Sequence, residues 1–233
     1  PKDNTPMYVM GVNHDNYDNN FEIVSNASCT TNCLAPIAEI LDRYFGVENG
    51  IMSTIHAVTA TQKAIDSPNL KNWRLGRGGY QNIIPSSTGA ANAVGKILPN
   101  LDGNLTGMSI RVPAANVSVV DLSVNLKSKT TYKEICRIMQ KESASDRYKG
   151  ILGYTEESVV STDFIGDRHA GVIDSHATIV DGRQVVLYVW YDNEFGYTCQ
   201  VVRVAQKMAG IKYPVVPPQP ASDSSKMSLV STG

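Results

Sequence analysis

The chain lacks an excess of charge of either sign: 21 Lys and Arg stand against 22 Asp and Glu, a net −1 over 233 residues. A partner held by bulk electrostatics is therefore not expected, which sets aside nucleic acid and an anionic membrane surface. Long apolar runs are also missing. None approaches the ~20 residues that a spanning helix needs, and the longest notable one, Val185 to Tyr191, is strand-sized. The first residues, Pro-Lys-Asp-Asn-Thr-Pro, hold no apolar signal-peptide core and no initial Met, which reads as processing or as a piece of a longer chain. Cysteine is sparse, at Cys29, Cys33, Cys136 and Cys199. No C-x-x-C pair is present, so no metal site is expected, and reduced thiols in the cytoplasm are the better reading. Sequons at Asn26, Asn104 and Asn116 are chance matches in that setting, and no internal repeat is found.

What is there fits a folded globular protein: 42% apolar residues, 18% charged residues, 18 Gly and 11 Pro. The length is enough for a sizeable core. Met7–Val12 and Phe21–Val24 read as short strands buried on both faces, as in a parallel sheet. A helix follows through Leu34, Ile37, Ile40, Leu41 and Phe45, with Ser28 as N-cap and Gly46 as its end. Ile51–Thr59 reads as a strand, and 61–85 as a long Gly- and Arg-rich loop of the kind that tends to be functional. Thr88–Leu98 reads as a short helix. Strands are expected at 106–112, 118–126, 158–164, 177–180 and 184–191, with Asp181-Gly182 turning between the last two. Amphipathic helices are expected at 132–142, capped by Thr130 or Thr131, and at 198–208, ended by Gly210. Beyond Tyr213 the Pro- and Ser-rich composition predicts a disordered tail.

Cys29 stands in the first turn of the first helix, where free N–H groups and the positive end of the dipole favour a thiolate. Against that, cysteine is among the most often buried residues and most cysteines are inert. The six small polar residues around it offer several donors to an oxyanion. Cys33, one turn on, is expected to be structural. His56, at the end of an apolar strand, is either a satisfied structural histidine or a base for the thiol. Thr59, Thr88, Gly89 and Arg111 could form anion sites, with Thr88-Gly89 opening a helix. Gly89–Lys96 is not a P-loop: it has five residues between its glycines, and Ile97 follows the Lys. Gly76–Gln81 lacks the third glycine of a dinucleotide fingerprint, and none occurs elsewhere in the chain. Trp190–Tyr197 places Asn193 and Glu194 among aromatics just before a helix; as a bare pattern it could be a packed strand-to-helix turn.

Together, SNASCTTNCLAP (25–36), HAVTATQK (56–63), WRLGRGGYQNIIPSSTGAA (73–91), LTGMSIRVP (105–113), VSVVDL (117–122) and WYDNEFGY (190–197) resemble the phosphorylating glyceraldehyde-3-phosphate dehydrogenase family, in order and spacing, from about residue 5 to 210. The resemblance implies an α/β fold: an α+β catalytic domain with a mixed, largely antiparallel sheet and helices on one face, preceded by the last strands of a Rossmann-type sheet. It divides the chain into 1–28 (the end of the nucleotide-binding domain), 29–195 (the catalytic domain), 196–212 (a helix returning to the nucleotide-binding domain) and the tail 213–233. It implies oxidation of glyceraldehyde 3-phosphate to an acyl phosphate, with Cys29 as nucleophile and His56 as base. Thr59 and Arg111 would hold the substrate's phosphate, and Ser28, Thr30, Thr88 and Gly89 the attacking inorganic phosphate. Asn193 would bond the nicotinamide of NAD, with NADP left open. The loop 61–85 would line a neighbouring subunit's cofactor site in a homotetramer. Asn92, Ile110 and Ala114 depart from the usual Lys, Phe and Thr, and touch none of these roles. The family's front, about 120 residues with its glycine fingerprint, is not in the sequence. The alternatives are a fragment acting only as a binding protein and an erythrose-4-phosphate dehydrogenase on the same scaffold.

Overall fold

The computed structural model of the chain describes residues 5–70 and 72–211. The first helix, α1 (Cys29–Phe45), starts where Ser28 Oγ accepts from the Thr31 N–H and ends at Gly46, whose φ of 67° closes the last turn. Leu34, Ile37, Ile40 and Leu41 fall on one face and are fully buried. Each such aliphatic side chain contributes about 1.5–3 kcal/mol by leaving water.

Strand β1 (Val47–His56) follows, then β2 (Ile84–Ser87), α2 (Ala90–Ile97), β3 (Leu105–Arg111) and β4 (Ser118–Leu126). Next come α3 (Tyr132–Ser143), β5 (Leu152–Thr155), β6 (Gly171–Asp181), β7 (Gln184–Tyr191) and α4 (Phe195–Met208). The seven strands form one sheet in the order β2-β3-β1-β4-β7-β6-β5. Only β1–β3 and β5–β6 are parallel; the other pairs are antiparallel. The expected mixed, largely antiparallel sheet is what forms. Its strands alternate as a one-sided sheet should: Met52, Thr54 and His56 are buried on β1, while Ile51 faces out and Ser53 and Ile55 between them are half-buried. The core runs between this face and α1, α2 and α3. Gly171 permits the close approach of α1, because a Cβ there would lie 2.9 Å from both Cys33 Sγ and Val189 Cγ1.

Several boundaries differ from the sequence reading. Met7–Val12 and Phe21–Val24 form no strands; between them stands one parallel bridge, Met7 to Ser25. The Asn13 side chain accepts from Val9 N–H and donates to Met7 O, so it takes up backbone groups a neighbouring strand would otherwise need. β1 begins earlier than Ile51 and stops at His56, because the Ala57 N–H turns to Ser118 Oγ and the Val58 N–H to Ala114 O. Ser158–Phe164 is not a strand: Asp163 Oδ2 accepts from Val160 N–H and tightens a 3-10 turn at Ser161–Phe164. β5 and the first half of β6 were not foreseen, and β2 closes the long loop.

Asp192 starts α4, its Oδ1 accepting from the N–H groups of Glu194 and Phe195. The far end of α4 meets the 8–17 segment, where Lys207 Nζ lies 3.1 Å from Asp15. The tail expected from residue 213 lies outside the described residues, as does residue 212.

Candidate active site

Three elements converge at one end of the sheet's strands. The α1 N-terminus brings Cys29, the end of β1 brings His56, and the end of β3 brings Arg111, which is the direct register partner of His56. Cys29 Sγ lies 3.5 Å from His56 Nε2. His56 Nδ1 lies 2.8 Å from Ala57 O and 2.7 Å from an Arg111 guanidinium nitrogen. The same nitrogen of Arg111 lies 3.5 Å from Thr59 Oγ1. Cys29, His56, Arg111 and Thr59 thus form one continuous contact chain.

Burial dominates the electrostatics. It pushes the Cys29 thiol up from its ordinary value, against the pull of the Thr30 hydroxyl and N–H and of the Arg111 charge. Burial also pulls His56 down to about 4, and the Arg111 charge adds to that, against the opposing pull of Ala57 O. Both directions favour the neutral partners, thiol and imidazole, over the ion pair in the ligand-free chain.

The remaining sequence-predicted residues divide into two groups. Ser28, Thr88 and Gly89 line a separate cavity of about 490 Å³ with Thr31, Asn92 and Lys96. There Thr88 Oγ1 accepts from Ala90 N–H, and Gly89 caps α2. Thr30 faces the other way: its Oγ1 lies 2.8 Å from the Tyr191 hydroxyl in the buried interior. Its hydroxyl and N–H also reach the Cys29 sulfur, and it is not among the residues that line that cavity. Asn193 is buried, its Oδ1 accepting from Ser118 Oγ at 2.7 Å. Cys33 is fully buried with Sγ toward Val189 O, as expected of a structural thiol. His169 pairs with Asp167, His14 accepts from Gly11 N–H, and His176 is exposed on β6, so none of them joins the cluster.

Two supporting residues escaped the sequence reading. The Tyr191 hydroxyl bridges Thr30 Oγ1 and Thr54 Oγ1, each at 2.8 Å, and so ties α1 to β1 behind the thiol and the imidazole. Ser118 Oγ accepts from the Ala57 N–H and donates to Asn193, tying the end of β1 to the loop before α4. It follows Val117, a β-branched residue at φ 69°, a strained conformation that the surrounding packing has to hold. The only sequence signal was that both lie inside the quoted motifs VSVVDL and WYDNEFGY.

Among the described residues no helix is long and apolar enough to cross a membrane, and no cluster of His, Cys, Asp and Glu could hold a metal ion.

Comparison with known proteins places the chain in a family. The family model for the C-terminal domain of glyceraldehyde 3-phosphate dehydrogenase matches residues 28–193. Glyceraldehyde-3-phosphate dehydrogenase 3 of Saccharomyces cerevisiae is 54% identical over 210 residues, 90% of this chain and 63% of that protein. The Danio rerio enzyme is 55% identical over the same shares. The relative of Antirrhinum majus named as cytosolic is 53% identical over 91% of this chain and 63% of its own length. The chain therefore spans somewhat under two thirds of the relatives it matches. Family model and identities agree: the chain belongs to the glyceraldehyde 3-phosphate dehydrogenase family and carries its C-terminal domain.

Proposed function

We propose that this chain supplies the catalytic half of a phosphorylating glyceraldehyde-3-phosphate dehydrogenase. The observation that carries the reading is the 3.5 Å approach of Cys29 Sγ to His56 Nε2 beside the Arg111 guanidinium. Cys29, as thiolate, adds to the aldehyde carbon of glyceraldehyde 3-phosphate. His56 takes the thiol proton and later the hydroxyl proton of the thiohemiacetal, as its carbon is oxidised to a thioester. Inorganic phosphate then attacks the thioester carbon, the Cys29 sulfur leaves, and an acyl phosphate is released. Arg111 and Thr59 hold the substrate's phosphate, and Ser28, Thr88 and Gly89 hold the attacking one. Thr30 stabilises the sulfur as its charge develops.

The residues present fit the nicotinamide end of NAD only. The Ser118 bond to Asn193 Oδ1 fixes the orientation of that amide, while no dinucleotide glycine fingerprint occurs in the 233 residues. When bound, the nicotinamide supplies the hydride acceptor, and NADP is the alternative. Residues 1–28 and 196–212 are the parts that join a nucleotide-binding domain, and 29–195 is the catalytic domain. The exposed loop around Trp73 faces a second subunit in a homotetramer, and the working compartment is the cytoplasm.

The test is protection of Cys29. Glyceraldehyde 3-phosphate added to the 233-residue chain is expected to slow iodoacetamide labelling of Cys29, and an aldehyde without a phosphate to do so less. Labelling indifferent to the aldehyde overturns the reading. The chain alone is expected to form no NADH, and a chimera with a relative's nucleotide-binding domain to form it. Relative kcat/KM of that chimera on erythrose 4-phosphate decides between the two aldehydes.

A further inference from the structure

A cavity of about 570 Å³ opens between the last turns of α4, the 8–17 segment and the turn before β5. It shares no lining residue with the Ser28–Thr88 cavity, and none with the chain of Cys29, His56, Arg111 and Thr59. Its charge is one-sided. Lys149, Arg203 and Lys207 line it, and no carboxylate does. Asp15 Oδ1, 3.1 Å from Lys207 Nζ, offsets one of the three cations, which leaves two positive charges. His14 adds none at neutral pH: burial lowers its pKa, and its Nδ1 accepts from Gly11 N–H.

Two lining groups lack the partners that their burial calls for. One terminal nitrogen of Arg203 donates to Gln200 Oε1 at 2.6 Å and to Arg168 O at 3.3 Å. Its other nitrogens donate to no group among the described residues, and Nη2 lies 3.7 Å from where a Cβ of Gly150 would stand. Burial disfavours the Arg203 charge, and the pull of Cys199 and Asp167 does not make up the difference. The second group is Gln206 Nε2, an amide donor that is buried and has no hydrogen-bond partner. A desolvated cation without a carboxylate and a buried donor without an acceptor are both costly. One oxyanion would satisfy both, and the guanidinium fork matches phosphate geometry. A helix C-terminus repels anions through its free carbonyls. At the end of α4 the Ile211 N–H occupies Gln206 O and the Gly210 N–H occupies Lys207 O, which blunts that repulsion.

We propose that this cavity binds an organic phosphate monoester, its phosphate against Arg203, Lys149 and Gln206 and its organic part over Met10, Tyr17 and Ile151. Two positive charges match a phosphate dianion. Met10, Tyr17 and Ile151 supply the apolar wall, and the volume is that of a small-molecule site, roughly 300–1,000 Å³. At about 3.6 residues per turn, Arg203, Gln206 and Lys207 fall on a different flank of α4 from the exposed Val201, Val202 and Ala205. That exposed stripe is what the reading above leaves for a nucleotide-binding domain, and the cavity is turned away from it. The bound phosphate would tie α4 to the 8–17 segment and to the turn before β5. The site stands whether or not Cys29 and His56 act as proposed, and no covalent bond is made or broken in it.

The test is lysine footprinting of the 233-residue chain with acetic anhydride, read by peptide mass spectrometry. Phenyl phosphate is the probe, and sodium chloride at equal ionic strength is the reference. Once the probe is at about ten times its Kd, acetylation of Lys149 and Lys207 is expected to slow about tenfold, with Lys127 and Lys141 unchanged. Phenol is expected to protect neither lysine, and inorganic phosphate to protect them less than phenyl phosphate does. Arg203→Met and Gln206→Glu are each expected to abolish the protection, the second by placing a carboxylate where the phosphate would sit; circular dichroism shows that the variant read is folded. Unchanged acetylation of Lys149 and Lys207 at every soluble probe concentration overturns the proposal, with no variant needed. Slowing at Lys96 alone puts the phosphate in the Ser28–Thr88 cavity and overturns it too. Equal protection by inorganic phosphate overturns the assignment to a monoester, and a folded Gln206→Glu chain that keeps its protection overturns the site. In the chimera with a relative's nucleotide-binding domain the same two lysines are expected to stay protected. Loss of protection there means that the other domain covers the cavity, and the site fails for the assembled enzyme.

Discussion

The Tyr191 hydroxyl lies 2.8 Å from Thr30 Oγ1, inside the sheet-facing side of the helix that carries the thiol. A second bond of equal length reaches Thr54 on the strand that carries His56. One phenol thus sets the spacing between the two elements whose ends must meet. Tyr191→Phe keeps the ring and removes both bonds, leaving two buried threonine hydroxyls short of a partner. A loss of about 1–3 kcal/mol is expected. Denaturant unfolding measures it, and a double-mutant cycle with Thr54→Val isolates the pairwise part.

The four cysteines are expected to react in an order set by access and by a neighbouring base. Cys29 and Cys136 are only partly buried, while Cys33 and Cys199 are buried, and Cys29 has His56 Nε2 3.5 Å from its Sγ. Iodoacetamide should label Cys29 faster than Cys33, Cys136 and Cys199. Because burial holds the Cys29 thiol above its ordinary value in the anion-free chain, its rate should keep climbing as pH rises through the alkaline range. Peptide mass spectrometry reads each site separately, and equal labelling of all four removes the claim of a distinct thiol.

Ser118→Ala removes the donor to Asn193 Oδ1 and the acceptor for the Ala57 N–H together. Both groups are buried, so a destabilisation of about 1–3 kcal/mol is expected. In a chimera with a nucleotide-binding domain, the freed Asn193 amide should raise KM for NAD more than KM for the aldehyde. An unchanged cofactor KM would separate Asn193 from cofactor binding.

His56 also predicts a pH dependence of stability. Its folded value, about 4, is below the ordinary 6.5 of the unfolded chain. Between those values the unfolded chain binds the proton that the folded chain refuses, so stability falls as pH drops from 6.5 toward 4. Integrated over that window the loss reaches about 3 kcal/mol at most. The parent chain should therefore lose more stability across this range than His56→Gln. Parallel denaturant titrations at several pH values check it.

Gly171→Ala is expected to disturb the thiol helix from β6, on the sheet face against which α1 packs. The new Cβ would press on Cys33 Sγ and Val189 Cγ1 at 2.9 Å, one turn along α1 from Cys29. Overpacking of this kind costs about 1–3 kcal/mol. Cys33→Ala in the same chain should recover part of it, read as a shift in melting temperature.

The helices were legible because their determinants are local. The hydrophobic spacing of α1, its Ser28 cap and its Gly46 stop all lie within the segment itself. β4 and β7 were legible for the same reason, as unbroken β-rich runs. The first half of β6 and the short β5 were not, because their strand state rests on pairing with each other and with β7. Met7–Val12 had the composition of a strand and became a turn, because the Asn13 side chain competes locally for its backbone.

The site divides in the same way. Sequence alone determined that Cys29 stands at a helix start, that His56 ends an apolar strand, and that both sit in motifs resembling one enzyme family. Tertiary structure decided the rest. The parallel register of β1 and β3 sets Arg111 beside His56, and Thr30 turns inward to Tyr191 instead of joining Ser28 and Thr88 in the open cavity. The protonation of the thiol and the imidazole is decided there too. It follows from burial and from a charge 55 residues away in the chain, which no local pattern encodes.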